Sequence, residues 1–484
     1  MENLLASSVD FSTFNVWSFL LQLAILLTAL LVGNILRTQV PFIKKLLIPS
    51  SLLGGLVLLL LRLIPQVDAF IDKELMQIIT YHGLGLGFAA MALKTDKAKR
   101  KVSAVKIVES GVIMAGSYLV QAIFGLIVSL ILFVCIGSYF GAGLILPMGF
   151  GQGTGSALSW GSTFENSNLF EGGSSYGLSV ATIGFIVASI GGVVYMNIMK
   201  RKGRVKSRIK RHEDKTVADF EHRNEICESE SVDRLSIQFC FIIIVYALAF
   251  GFMCLLRLTG IKAIGDLAWG LNFLWAMLFA ILFKTVLNFL KKKKIVQKHY
   301  VNNHLMDRIS GFMFDMMIIA GVVAIDFEAV RKNLLLLIVT CVVGTVVTFV
   351  YVHYTTKYTY KNYEVEGFLA NFGTVTGTAS NGMILLREID PNYETPAATN
   401  LVLQNIPSII FLAPLLLTLG TAGSSFANCL IFLGVYVLLF IAYNLFLFRR
   451  VIFKKHYANK PESVWVEDQI EVKNCSDKTV NEED

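Results

Sequence analysis

Charge is scarce in this chain. Only 16% of its 484 residues are Asp, Glu, Lys or Arg, against 55% that are hydrophobic. A soluble protein of this length usually divides into two or more domains. Here, apolar runs of 18 residues or more recur, and a helix needs about 20 to cross the roughly 30 Å hydrocarbon core. The reading is an all-α polytopic membrane protein. Catalytic signatures are also missing: no H-E-x-x-H, no P-loop G-x-x-x-x-G-K-[S/T] and no G-x-S-x-G elbow. Their absence argues against an enzyme and against ATP-driven pumping, leaving an ion gradient as the energy source and no cofactor expected. The seven cysteines, from Cys135 to Cys475, form no C-x-x-C pair, so neither a disulfide framework nor a zinc site follows. The N-terminus lacks the basic region of a cleaved signal, and its first apolar run reads as a retained span. A formal charge of +8 does not imply nucleic acid, because the basic clusters sit in short loops between spans, as the positive-inside rule requires.

What the chain does contain is a repeated motif. Phe150-Gly-Gln-Gly-Thr-Gly-Ser-Ala157 returns as Phe372-Gly-Thr-Val-Thr-Gly-Thr-Ala379, just under half a chain later. Hydropathy predicts spans at about 15–36, 47–64, 74–93, 107–136 and 174–199, then near 235–258, 263–290, 308–328, 333–356, 394–419 and 425–448. Each copy of the motif falls between the fourth and fifth span of its half. Lys/Arg bias puts the N-terminus outside, the charged 200–234 linker in the cytoplasm and the C-terminus in the cytoplasm. Five crossings before the linker make the halves inverted repeats. The expected layout is a first repeat over 1–199 with a re-entrant hairpin near 141–165, and a second over 235–420 with a hairpin near 364–388. An extra helix over 421–450 and a polar, disordered tail over 451–484 follow. A weaker internal match, Met91–Lys101 with Val323–Lys332, falls where the repeat requires it.

Gly-interrupted segments in corresponding positions of two halves point to a transporter's binding site. Gly151, Gly153 and Gly155 permit a tight hairpin whose exposed helix ends would favour a carboxylate at the N–H side and Na⁺ at unwound carbonyls. The hydroxyls of Thr154, Ser156, Thr376 and Thr378 can serve either ligand. Each copy is also a G-x-x-x-G, the small-residue face of ordinary helix packing. The repetition of Phe, Thr and Ala in both copies favours hairpins. Asp315, deep in the predicted eighth span, reads either as a sodium or proton ligand or as a charge paired with Arg308 or Lys284. Arg387 could fork onto a substrate carboxylate or anchor the cytoplasmic end of the hairpin. His82 reads as hydrogen-bonded packing, and Lys284 and Glu109 as charges near span ends.

Three stretches carry a resemblance: Ile48-Pro-Ser-Ser-Leu-Leu-Gly-Gly55, Gly149–Trp160 and Gly373–Ala379. They resemble the glutamate:sodium symporter family of bacteria over roughly residues 15–420. The resemblance implies Na⁺-coupled uptake of L-glutamate across the bacterial cytoplasmic membrane, a homodimer and an elevator-like motion. It maps substrate and ion binding onto Gly151, Gln152, Gly153, Thr154, Gly155 and Ser156, and onto Gly373, Thr374, Thr376, Gly377 and Thr378. Na⁺ is expected at Asp315, Thr154 and Thr376. The chain departs from the family at Gln152, where glutamate carriers have His, and at Thr374-Val375-Thr376, where they are richer in Gly. The eleventh span and the tail are additions. The alternative is a Na⁺- or H⁺-coupled carrier of another small carboxylate. A channel or a membrane sensor fits less well, for want of a selectivity-filter ring or an output domain.

Overall fold

The computed structural model describes residues 14–94, 104–205, 233–294, 300–360, 362–391 and 395–452. Most of the 200–234 linker, the tail from 453 and most of the Met91–Lys101 match lie outside the described residues. Among those described, regular structure is entirely helical. In the first half run α1 (Phe14–Gln39), α2 (Ser50–Leu61), α3 (Lys73–Leu93), α4 (Ala104–Ile136), α5 (Thr154–Asn166) and α6 (Gly173–Arg201). In the second run α7 (Arg234–Arg257), α8 (Lys262–Gly270), α9 (Asn272–Lys292), α10 (Asn303–Val323), α11 (Leu334–Thr359), α12 (Glu364–Thr376), α13 (Ala379–Arg387), α14 (Ala397–Leu403), α15 (Asn405–Ala422) and α16 (Phe426–Leu447).

Polar caps set several helix starts. Asp72, Asp233, Asn302 and Ser425 each accept a backbone N–H from the first turn of α3, α7, α10 and α16, satisfying donors that the helix itself cannot. Between the caps the side chains are mostly apolar, and many remain exposed, among them Leu255, Leu258, Ile410 and Leu438. Lipid rather than protein covers such faces.

Eight helices among the described residues are long and apolar enough to cross a membrane, or nine if α14 and α15 are one bent span. The expected eleven unbroken spans are therefore corrected in four places. The 47–64 segment forms only the 12-residue α2, about 18 Å long. It stops at Arg62, and Pro65 begins a separate short helix, Pro65–Phe70. The 263–290 segment breaks at Leu271 between α8 and α9. The 394–419 segment bends by 48° between α14 and the part of α15 that starts at Pro407, as expected where proline removes a backbone donor. The 308–328 segment is shifted to Asn303–Val323, and with Asp307, Arg308 and Asp315 in its length it is not among the eight.

The helices pack in two sets. One holds α1, α2, α3, α7, α9 and α10, and the other holds α4, α6 and α11 to α16, with α5 and α8 touching both and α6 reaching α10. Glycine makes close contacts possible. A Cβ at Gly33 or Gly54 would strike the backbone of the opposite helix in the α1–α2 pair, and one at Gly83 or Gly87 would crowd Met313 or Phe314 of α10. The most apolar stretch of α6 is 67% buried, against 11% for α16 and 22% for α1 and α7. Helix α6 is thus the internal spine, while the other three face lipid.

Arg62 ties the first set together. Its fully buried side chain donates to the carbonyls of Val323 and Ile325, at the end of α10, and pairs with Asp68 at 2.6 Å. The guanidinium satisfies carbonyls that the helix leaves free.

Candidate functional site

Both copies of the repeated motif are broken helices. In the first, a wide turn over Met148–Gln152 ends at Gly153, whose φ of 85° and ψ of −167° suit only glycine, and α5 begins at Thr154. The chain folds back there. Ser156 Oγ lies 3.6 Å from Met148 Sδ, whereas a continuous helix would rise about 12 Å over those eight residues. In the second copy, α12 stops at Thr376 and α13 starts at Ala379, across Gly377 and an extended Thr378. The arms of this hairpin press together so closely that a Cβ on Gly373 would sit 2.8 Å from the backbone of Gly382.

The two breaks meet. Gly153 and Thr378 are the N-cap residues of α5 and α13, and neither helix start has a side-chain cap. A Cβ at Gly153 would lie 3.6 Å from Thr378 Cγ2, 3.6 Å from Met317 Cε and 3.4 Å from Phe185 Cζ. Helix α6 separates and supports the arms: Gly184 approaches both Phe150 and the Thr376 carbonyl, and Ala188 lies against Gly377.

The motif's polar side chains lie within this junction. Thr154 Oγ1 donates to Met317 O at 3.1 Å, and Ser156 donates to Gln152 Oε1 at 2.8 Å. Thr374 and Thr376 donate to the carbonyls of Ala370 and Phe372 in their own helix, at 2.7 and 2.6 Å. A hydroxyl whose proton is so engaged still offers oxygen lone pairs to a cation. No group of three or more His, Cys, Asp or Glu side chains comes together among the described residues. A cation there would meet neutral oxygens.

The remaining candidates lie elsewhere. Asp315 is half-buried on α10 beside Ser51 of α2, with Arg37 of α1 as its charged neighbour. It pairs with neither Arg308 nor Lys284. Lys284 instead donates to the carbonyls of Ala92 and Lys94 at the end of α3. Met317, two residues on from Asp315 and therefore on the opposite side of the helix, is the one that reaches Thr154. Arg387 is exposed in the last turn of α13, about 12 Å along the helix from the break. His82 Nδ1 lies 3.0 Å from the Tyr246 hydroxyl. Glu109 is buried between Lys106, at 3.2 Å, and Arg449, at 2.8 Å.

Sequence reasoning missed two residues of α4. Gln121, fully buried, donates to Thr348 Oγ1 at 3.0 Å and to Val375 O at 2.9 Å. It thereby satisfies a carbonyl in the last turn of α12. Tyr118 sits beside Gln152 and covers Gly151 so tightly that a Cβ there would be 2.5 Å from its hydroxyl oxygen. An amide in the middle of the apolar 107–136 run was the available signal for Gln121. Nothing local marked Tyr118.

The fold and this junction define a multi-pass helical membrane protein whose buried polar groups gather at two interrupted helices. The family model described as sodium/glutamate symporter matches residues 16–394, and the chain belongs to that family. It is a transporter family, with glutamate as substrate and Na⁺ as coupling ion. A comparison with curated proteins finds no match.

Proposed function

We propose that this chain takes up L-glutamate with Na⁺ across the bacterial cytoplasmic membrane, by alternating access around the paired breaks. The observation that carries this reading is the contact between the N-cap residues of α5 and α13. Two helix N-termini then direct their free N–H groups and partial positive charge at one point, which favours a carboxylate. Motif oxygens of Thr154 and Thr376 lie within the same junction and suit Na⁺. Asp315, which faces the α1–α2 side of α10 rather than the junction, holds a separate Na⁺, and Arg387 at the far end of the hairpin steers the anion toward the junction.

Inverted repeats account for the layout. The spans that the repeat would equate, α3 with α10 and α4 with α11, pack directly on each other. The breaks then enter from opposite faces and act as the two gates. The division into two packed sets, with the second hairpin in one and α5 of the first hairpin on the seam between them, supports an elevator-like motion of one set against the other. The N-terminus lies outside, the C-terminus in the cytoplasm, and the carrier works as a homodimer. Gln152, at a position where the family's glutamate carriers have His, supports a second reading in which another small carboxylate is the substrate.

The test is uptake of labelled glutamate into proteoliposomes with and without an inward Na⁺ gradient, followed by competition from a panel of carboxylates. Na⁺-stimulated glutamate uptake is expected. Uptake of a different carboxylate alone would select the second reading, and no Na⁺-stimulated uptake of any carboxylate would refute both.

A further inference from the structure

Behind the second hairpin, three side-chain amides are buried without enough partners. Asn371 of α12 is 3% exposed, Asn400 of α14 is 2% exposed and Gln404, at the bend between α14 and α15, is fully buried. Asn371 spends its N–H on Gly367 O at 2.9 Å, and Asn400 spends its own on the Tyr363 hydroxyl at 2.8 Å. The oxygens of both, and both polar atoms of Gln404, have no hydrogen-bond partner. An unpaired buried polar group is destabilising, so three carboxamides in this condition on packed helices demand an explanation.

Packed helices and a tyrosine pair link them. Both arms of the hairpin pack on α14. Tyr360 and Tyr363 stack with ring centroids 5.0 Å apart. Asn371 lies beside the Tyr360 hydroxyl without the geometry of a hydrogen bond to its oxygen, while Asn400 holds the Tyr363 hydroxyl. Gln404 follows Asn400 by one helical turn, and its N–H donates to the Asn400 carbonyl at 2.8 Å. Tyr360 and Tyr363 belong to a buried apolar cluster with Val112, Ile113, Ala370, Leu386 and Leu401. Gly111 of α4 closes the bend, since a Cβ there would sit 2.7 Å from Pro407.

We propose that Asn371 Oδ1, Asn400 Oδ1 and Gln404 Oε1 form a Na⁺ site at this bend, distinct from the junction of the two breaks. Oxygen-only coordination suits a hard cation, and the absence of a carboxylate from the trio suits a monovalent one. Both Asn400 and Gln404 lie beyond the residues that the family model matches. Bound there, Na⁺ holds α12 against α14, coupling ion occupancy to the second hairpin. This inference rests on the reading of the chain as a Na⁺-driven carrier.

The experiment uses the full chain purified in detergent and melted in NaCl, KCl or choline chloride at equal ionic strength, followed by Na⁺ titration of uptake in proteoliposomes. The wild type should gain melting temperature with Na⁺ and not with choline. Asn371→Leu and Gln404→Leu should melt no lower than wild type without Na⁺, because each replaces an unpaired polar group with an apolar one. In both, the Na⁺ midpoint should rise about tenfold or more, in line with the loss of a ligand-sphere group. Gln404→Glu retains an oxygen and adds charge, so its midpoint should stay or fall. Unchanged midpoints in both Leu variants, or an equal response to K⁺, would overturn the site while leaving Na⁺-driven uptake intact. A wild type with no Na⁺ response in melting or uptake would instead overturn the reading beneath it.

Discussion

Gly153 offers the sharpest test of whether the broken helix itself does the binding. Its φ of 85° and ψ of −167° lie in a region open essentially to glycine alone, where another residue costs of order 1–3 kcal/mol. Space is not the obstacle, because a Cβ would find nothing nearer than Phe185 Cζ at 3.4 Å. The penalty of Gly153→Ala is therefore confined to the backbone turn. If glutamate needs that turn, a loss of ~1–3 kcal/mol lowers the competent population roughly 5- to 150-fold. The assay is the initial rate of Na⁺-driven glutamate uptake per reconstituted protein, read beside the melting temperature. Gly137→Ala is the control: Gly137 also has a positive φ, 69°, with nothing within 4 Å of a Cβ, but it follows α4 rather than lying in the motif. Gly137→Ala should lower stability and spare uptake, whereas Gly153→Ala should lose uptake with the protein still in the membrane. Wild-type uptake by Gly153→Ala would refute the reasoning and make the motif a packing device.

Three further outcomes are expected. Arg62→Ala leaves the buried carbonyls of Val323 and Ile325 without their donor, costing about 1–3 kcal/mol; Lys73→Ala, in partly exposed pairs with Asp68 and Asp326, should cost below about 1 kcal/mol. Equal melting temperatures for the two would remove the capping role. Gln121→Leu leaves Val375 O and Thr348 without their donor and should cost about 1–3 kcal/mol, together with a measurable fall in uptake, while wild-type values in both assays would make Gln121 dispensable to the hairpin. A double-mutant cycle of Glu109→Gln with Arg449→Gln should show a coupling of about 0.5–3 kcal/mol, since α4 and the segment just after the extra C-terminal helix meet there, and zero coupling would mean that the pair does not hold them together.

Hydropathy and the repeated motif made the helical class and the position of both breaks legible, because glycine declares itself where a backbone must turn. Hydropathy could not show where an apolar run bends. The 47–64 stretch reads as one span, yet α2 ends at Leu61, and Arg62 just beyond it is committed to the carbonyls at the end of α10, more than 250 residues away in sequence. The 48° bend after Leu403 is hidden for the same reason: Gln404 and Pro407 sit in apolar sequence, and only packing against Gly111 reveals what the bend accommodates.

The harder lesson concerns which buried polar groups deserve suspicion. A search for outliers in membrane sequence finds charge first, and it found Asp315, Lys284 and Glu109. In the folded chain Lys284 and Glu109 are engaged with carbonyls or opposite charges. Among the described residues, atoms without partners around the two hairpins include uncharged ones: Tyr118 OH, Trp160 Nε1, Gln121 Oε1, Asn371 Oδ1, Asn381 Nδ2, Asn400 Oδ1 and both ends of Gln404. Physical chemistry favours that division. A fully buried carboxylate that gripped Na⁺ would release it slowly, and transport needs binding weak enough to reverse, a limit that half-buried Asp315, with Arg37 beside it, escapes. Neutral amide oxygens desolvate the ion without adding a full countercharge. In a carrier of this kind, an Asn or Gln inside an apolar span is therefore the stronger pointer to the ion path, and charge is the stronger pointer to what holds the scaffold still.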